Sequence, residues 1–92
     1  MPQYVMLGKY SAESLRKASP QRTRKVHQTV QSMAGRVRSI HALLGCYDLM
    51  LVVEFPTNEM AMEAAVAISR DLGIGFTTCP SVPVDQFDRM LD

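Results

Sequence analysis

Apolar and polar positions follow two periods along this chain, one of two residues and one close to four. In Tyr4–Tyr10 (YVMLGKY), Val5 and Leu7 fall on one side and Tyr4, Met6 and Gly8 on the other. That alternation predicts a first strand. Ser11 is placed to cap a helix, with Glu13 in its first turn. Ser19-Pro20 interrupts that helix, because proline removes a donor and clashes with the preceding turn. Ser19 can then cap a second segment with Pro20 at its first position. This segment runs to about Ala34 along a stripe of Val26, Val30 and Met33, and Gly35 is placed to end it.

Period two returns at Arg36–Leu44, and Leu49–Val53 is an uninterrupted apolar run. The run is too short to span a membrane and has no helical periodicity, so it predicts a buried strand, Asp48–Phe55. Gly45-Cys46-Tyr47-Asp48 forms the turn between the two. Gly45 supplies a positive φ there, and Asp48 bonds the turn backbone. The expected register sets Leu44 opposite Leu49 and Ile40 opposite Val53. One face of the hairpin then carries Ile40, Ala42, Leu44, Leu49, Leu51, Val53 and Phe55, and belongs under the helices. The other carries Ser39, His41, Leu43, Met50, Val52 and Glu54.

Pro56 ends the strand and Thr57 caps a helix over Asn58–Leu72, with Ala61, Ala64, Ala65, Ile68 and Leu72 on one stripe. A last strand follows, roughly Ile74–Cys79, with Gly75, Thr77 and Cys79 toward the open side. Pro80 and Pro83 break the chain, and Val84–Leu91 reads as a short helix docking through Phe87, Met90 and Leu91. The order βαββαβ with a tail helix predicts a ferredoxin-like α+β sandwich: two helices on one face of a four-stranded antiparallel sheet.

The hairpin turn adds a second line of inference. Gly45-Cys46-Tyr47-Asp48, within LLGCYDLMLVVEFP, resembles the signature of the GYD domain family, named for its Gly-Tyr-Asp. YVML in the first strand, Ser19-Pro20-Gln21-Arg22 in the broken helix and the late Thr77-Thr78 are similar to segments of that family at the same places. A related turn occurs in the effector domains of leucine-responsive regulators. The resemblance implies a ferredoxin-like fold of the dimeric α/β-barrel kind, and assigns no catalytic residues.

Composition narrows the function classes. Ninety-two residues, 47% of them hydrophobic, make one small domain whose modest core gains from oligomer contacts. The N-terminus has no signal-peptide pattern, and Cys46 and Cys79 match no metal-ligand spacing, so a cytoplasmic protein with free thiols is expected. Net charge is only +1, yet residues 1–38 hold eight of the ten Lys and Arg and a single acid, Glu13. A solvated basic helix face explains this; an anion surface or a complementary self-contact are the other readings. Leu43, Met50 and Val52 would lie in water on the open sheet face, which predicts a homodimer or higher homo-oligomer through that face.

Among groups that could carry chemistry, His41 and Glu54 are the sharpest pair. In the expected register they lie on adjacent strands two positions apart, as an acid/base couple would, or as a polar pair buried in a dimer contact. Tyr47 and Asp48 cap and pack the turn, or touch a ligand at the rim. Ser39, His41, Tyr47, Asp48, Glu54 and Thr77 are thus the candidate ligand-binding residues. Cys46 would be reactive if exposed. There is no phosphate-binding glycine loop, no HExxH and no serine elbow, so no cofactor or metal is expected. The central strands lack the aromatics on which RNA bases stack, which argues against nucleic acid despite Arg22, Arg24, Lys25, Arg36 and Arg38. Three function classes remain. The leading one is a non-enzymatic small-molecule-binding or regulatory module; the second is a cofactor-free enzyme using His41 as base and Glu54 to orient it; the third, disfavoured by the missing aromatics, is a nucleic-acid contact through those five basic residues.

Overall fold

A computed structural model describes residues 1–91. The elements in order are β1 (Gln3–Tyr10), α1 (Ala12–Arg16), α2 (Pro20–Ser32), β2 (Arg36–Ala42), β3 (Leu49–Glu54), α3 (Asn58–Leu72), β4 (Ile74–Ser81) and α4 (Val84–Met90). The strands form one antiparallel sheet ordered β2-β3-β1-β4, so the fold is the ferredoxin-like sandwich. β2 and β4 are its edges. Pro80 is accommodated in β4 because an edge strand can spare a donor.

The helix starts are capped as their sequences dictate. Ser11 Oγ accepts from Ser14 N at 3.0 Å, Ser19 Oγ from Arg22 N at 3.3 Å and Thr57 Oγ1 from Met60 N at 3.2 Å. Gly73, at φ 69°, closes α3 in the left-handed conformation. The end of α2 differs from expectation. Ala34 takes the positive φ of 59°, while Gly35 serves as a point of close approach. A Cβ on Gly35 would fall 2.6 Å from Phe55 Cε1, so glycine there makes room for the core aromatic.

Beneath the helices, Met6, Val30, Leu51, Val53, Phe55, Ala64 and Ile68 are fully buried. Tyr4 and Phe55 meet edge to face with ring centroids 6.0 Å apart.

The hairpin register is two residues from the expected one. Ala42 pairs with Leu49, His41 with Met50 and Ile40 with Leu51. A shift of two preserves which face each side chain takes, so Ile40, Leu51 and Val53 still turn toward the helices. Leu44 does not: it lies beyond β2 in the tip and is wholly exposed. The cause is Asp48. Its N–H donates to Gly8 O at 2.8 Å, its Oδ2 accepts from Tyr10 N at 2.9 Å and its carbonyl accepts from Leu43 N at 2.9 Å. These bonds pin Asp48 to the end of β1 and leave residues 43–48 as the tip. β2 also has a bulge at Arg38 between the pairs Val37–Val53 and Ser39–Val52. The extra residue lets Val37 and Ile40 face the same side despite their odd spacing.

The tail is a second correction. α4 forms, but none of its residues is buried; Val84, Phe87, Met90 and Leu91 are all exposed. It does not dock on its own core.

Candidate functional site

The side of the sheet away from the helices is the candidate site. Strand pairing orders it in three rows. His41, Met50, Leu7 and Thr77 form one; Ser39, Val52, Val5 and Cys79 the next; Arg36, Glu54, Gln3 and Ser81 the third. The first two rows are apolar on the central strands and polar at both edges. Val5, Leu7, Met50 and Val52 are half-buried by their neighbours and covered by no other element among the described residues.

Four of the six candidate residues, Ser39, His41, Glu54 and Thr77, share this face. The structure does not bring His41 and Glu54 together within one subunit. His41 is level with Met50, four positions along β3 from Glu54, which is about 13 Å at roughly 3.3 Å per residue. The expected separation of two positions came from the displaced register. His41 is exposed and bonds no other side chain among the described residues, so no buried His41–Glu54 pair exists in the subunit. Glu54 is the more enclosed, with its side chain 19% exposed and Arg38 Nε 4.0 Å from Oε2. His41 and Thr77 stand on opposite edges, three strand spacings apart.

Tyr47 and Asp48 lie at the hairpin tip, off this face. Asp48 is held by the bonds to Gly8, Tyr10 and Leu43, with Lys9 Nζ 4.0 Å away. Cys46 and Cys79 are both free and exposed. No three His, Cys, Asp or Glu side chains gather as metal ligands among the described residues.

A cleft of about 550 Å³ opens where the third row meets the start of α4, lined by Gln3, Tyr4, Glu54, Asn58, Ser81 and Gln86. Ser81 Oγ is buried there without a hydrogen-bond partner. The sequence reading passed over Gln3 and Ser81; their alternation with Val5 and Cys79 was the available signal.

The basic set also changes meaning. Arg22 is a clasp between helices rather than a free cation. Its Nη1 donates to Ser14 O at 2.7 Å, and its Nη2 donates to Ser14 Oγ and to Leu72 O at the end of α3. Ser14, the buried polar residue of this layer, donates from Oγ to Leu72 O at 2.5 Å. A guanidinium at a helix C-terminus satisfies carbonyls that the helix leaves unpaired. Nothing in the local sequence signals this contact, because Leu72 lies fifty residues away. Glu13, on α1, has its carboxyl held below the usual range by the hydrogen bond and charge of Lys17, 2.9 Å away.

Comparison with known proteins agrees with this architecture. A family model described as the GYD domain matches residues 4–91. Among solved structures, the leucine response regulatory protein LrpA of Mycobacterium tuberculosis superposes with a TM-score of 0.59 at 7% identity, over 89% of this chain and 51% of that one. MtbAldR gives a TM-score of 0.66 at 16% identity, over 89% and 53%. An AsnC family transcriptional regulator from Agrobacterium tumefaciens gives 0.59 at 11% identity, over 89% and 50%. The chain therefore spans about half the length of each, and at these identities the likeness is one of fold. A search among curated proteins found no match. No helix among the described residues is long and apolar enough to cross a membrane.

Proposed function

The chain belongs to the GYD domain family, and from that premise we propose that it is a small-molecule-binding or regulatory module. In this reading it is one domain, performs no chemistry of its own and works as a homo-oligomer paired through the open face of its sheet. The observation that carries the reading is the contiguous block Val5, Leu7, Met50 and Val52, central on that face and under no helix. Packing a second sheet on it removes the block from water, at roughly 25 cal/mol for each Å² of apolar surface covered. The polar margins, Ser39 and His41 on one edge and Thr77 on the other, then line the space between two copies, with Glu54 at its end and Tyr47 and Asp48 toward the rim. A ligand held there would bias association, which is how a small molecule regulates an oligomer.

The fold likeness to proteins named as a leucine response regulatory protein and a transcriptional regulator supports the regulatory half of the reading. Free thiols at Cys46 and Cys79 suit a reducing compartment, so the reading places the protein in the cytoplasm. The alternative, a cofactor-free enzyme, gains nothing from a His41 and Glu54 set four positions apart.

Sedimentation tests the assembly. The wild type is expected to associate, and Val52→Glu to sediment as a folded monomer, because it sets like charges face to face across the contact. A wild-type monomer at high micromolar concentration overturns the reading. A small-molecule screen by thermal shift then seeks the ligand, since binding to the folded state alone raises the melting temperature.

A further inference from the structure

The cleft at the third row holds polar groups whose hydrogen-bonding capacity is unspent. Ser81 Oγ is buried and has no partner among the described residues. Tyr4 is 2% exposed, and its hydroxyl donates to Asn58 Oδ1 at 2.5 Å. That bond leaves the Tyr4 oxygen free to accept and the Asn58 amide N–H₂ free to donate. The Glu54 carboxylate has no partner among the described residues closer than Arg38 Nε at 4.0 Å, which is beyond hydrogen-bond distance. Pairing sets Glu54, Gln3 and Ser81 on three adjacent strands, about 4.8 Å from one to the next. Buried polar groups are normally paired, so a row of this kind calls for a partner from outside the subunit.

Charge narrows what that partner is. Glu54 is the one ionised side chain among the described residues of the lining, and the Met1 α-amino group makes no ion pair with it. Its charge faces two cations on the β2 side, Arg38 and its cross-strand partner Arg36, neither of which lines the cleft. A cationic ligand would compete with both. An anion finds no lining cation, and Pro2, Pro80 and Pro83 withhold their backbone donors. α3 and α4 begin beside the cleft, but each has an acid in its first turn, Glu59 and Asp85, to meet its dipole. What remains is neutral. The side-chain amides of Gln3, Asn58 and Gln86 each donate and accept, and so does the Ser81 hydroxyl.

We propose that this cleft binds a small uncharged polyol of about monosaccharide size. Hydroxyls on neighbouring carbons also donate and accept at once, so they match the amides, donate to Glu54 and Tyr4, and supply the missing partner of Ser81. The C–H faces of the ligand lie against the proline rings and Val82. The inference rests on the small-molecule half of the proposed reading and not on the pairing, because every group it uses belongs to one subunit.

Amide-resolved NMR titration tests it. The probes are D-glucose, D-ribose and myo-inositol, beside butylamine hydrochloride and sodium butyrate. At least one polyol is expected to give saturable shifts confined to Gln3, Glu54, Asn58, Ser81 and Gln86. No saturable shift with any polyol, or saturation of the same signals by the amine or the carboxylate, overturns the proposal. Glu54→Gln is expected to weaken polyol binding roughly tenfold, by loss of a charged acceptor. Ser81→Ala keeps the test open if that variant fails to fold. It is expected to weaken binding about threefold or more and to leave the melting temperature unchanged or raised, since the hydroxyl has no partner to lose. Unchanged binding in either folded variant overturns the site. The Val52→Glu monomer is expected to bind as the wild type does; loss of binding there overturns a cleft complete in one subunit and leaves the pairing standing. A thermal-shift ligand that moves the first two rows instead overturns the cleft and leaves the small-molecule reading standing.

Discussion

The two faces of the sheet are built from alternate residues of the same strands and have opposite fates. On the covered face Met6, Leu51 and Val53 are sealed by α2 and α3; on the open face Val5, Leu7, Met50 and Val52 are sealed by nothing among the described residues. Both sets are apolar, so hydrophobicity alone does not distinguish them. What distinguishes them is the cover, which comes from two amphipathic helices whose apolar stripes are used up on one side. The covered face carries the fold, and the open face is the surface on which the proposed pairing rests.

The sharpest way to break this comparison is to make the same change on both sides. Leu51→Ala empties a fully buried site, and is expected to cost about 2–5 kcal/mol of unfolding free energy. Val52→Ala, the next residue, removes half-buried atoms that border no internal cavity, and is expected to cost far less at concentrations where the chain is monomeric. Urea unfolding of the two variants checks this, and equal costs would mean that the open face also stabilises the lone subunit.

A smaller effect tests how the cover is held down. Arg22 joins α1, α2 and the end of α3 through Ser14 and Leu72. Arg22→Ala leaves the Leu72 carbonyl without its guanidinium and is expected to cost about 1–3 kcal/mol. Arg22→Lys is expected to restore only part, because one ammonium cannot reproduce the planar fork that reaches both Ser14 and Leu72. Melting curves of the two variants decide. Full rescue by lysine would reduce the clasp to a simple charge effect.

The fold was legible because its signals are local. Ser11, Ser19, Thr57 and Gly73 mark helix ends by chemistry within a few residues of themselves, and strand alternation assigns faces without knowledge of register. The site was less legible because its geometry depends on contacts distant in sequence. Asp48 reads locally as a turn residue, yet its bonds run to Gly8 and Tyr10, and these moved the hairpin tip by enough to separate His41 from Glu54. Gly35 reads as a helix stop, whereas its function is set by Phe55, twenty residues on. Arg22 reads as one of several surface cations until the end of α3 is placed beside it. α4 was legible as a helix, but its lack of cover was not, since an apolar stripe looks the same whether its own core or a neighbour will bury it.

The smallest expected effect lies on the outer surface of the helical layer, where the cover meets water. Glu13 and Lys17 pair there at 2.9 Å, four residues apart on α1, with both side chains largely exposed. Lys17 lowers the Glu13 carboxyl below its ordinary value of 4.5 in the folded chain. A depressed folded-state value means that the unfolded chain binds the proton more readily. The pair's contribution is therefore present above the unfolded value and is lost as pH falls through the folded one. Solvent and salt screen a pair this exposed, so the change is far smaller than for Leu51 or Arg22. Glu13→Gln is expected to flatten the acid limb of the stability profile slightly and to leave neutral-pH melting almost unchanged. Thermal melts of both proteins from pH 3 to pH 7, at low and high salt, check this. A drop at neutral pH as large as that of Arg22→Ala would show that the outer surface of the cover matters as much as its clasp, and the contrast between a sealed face and a solvated one would have to be redrawn.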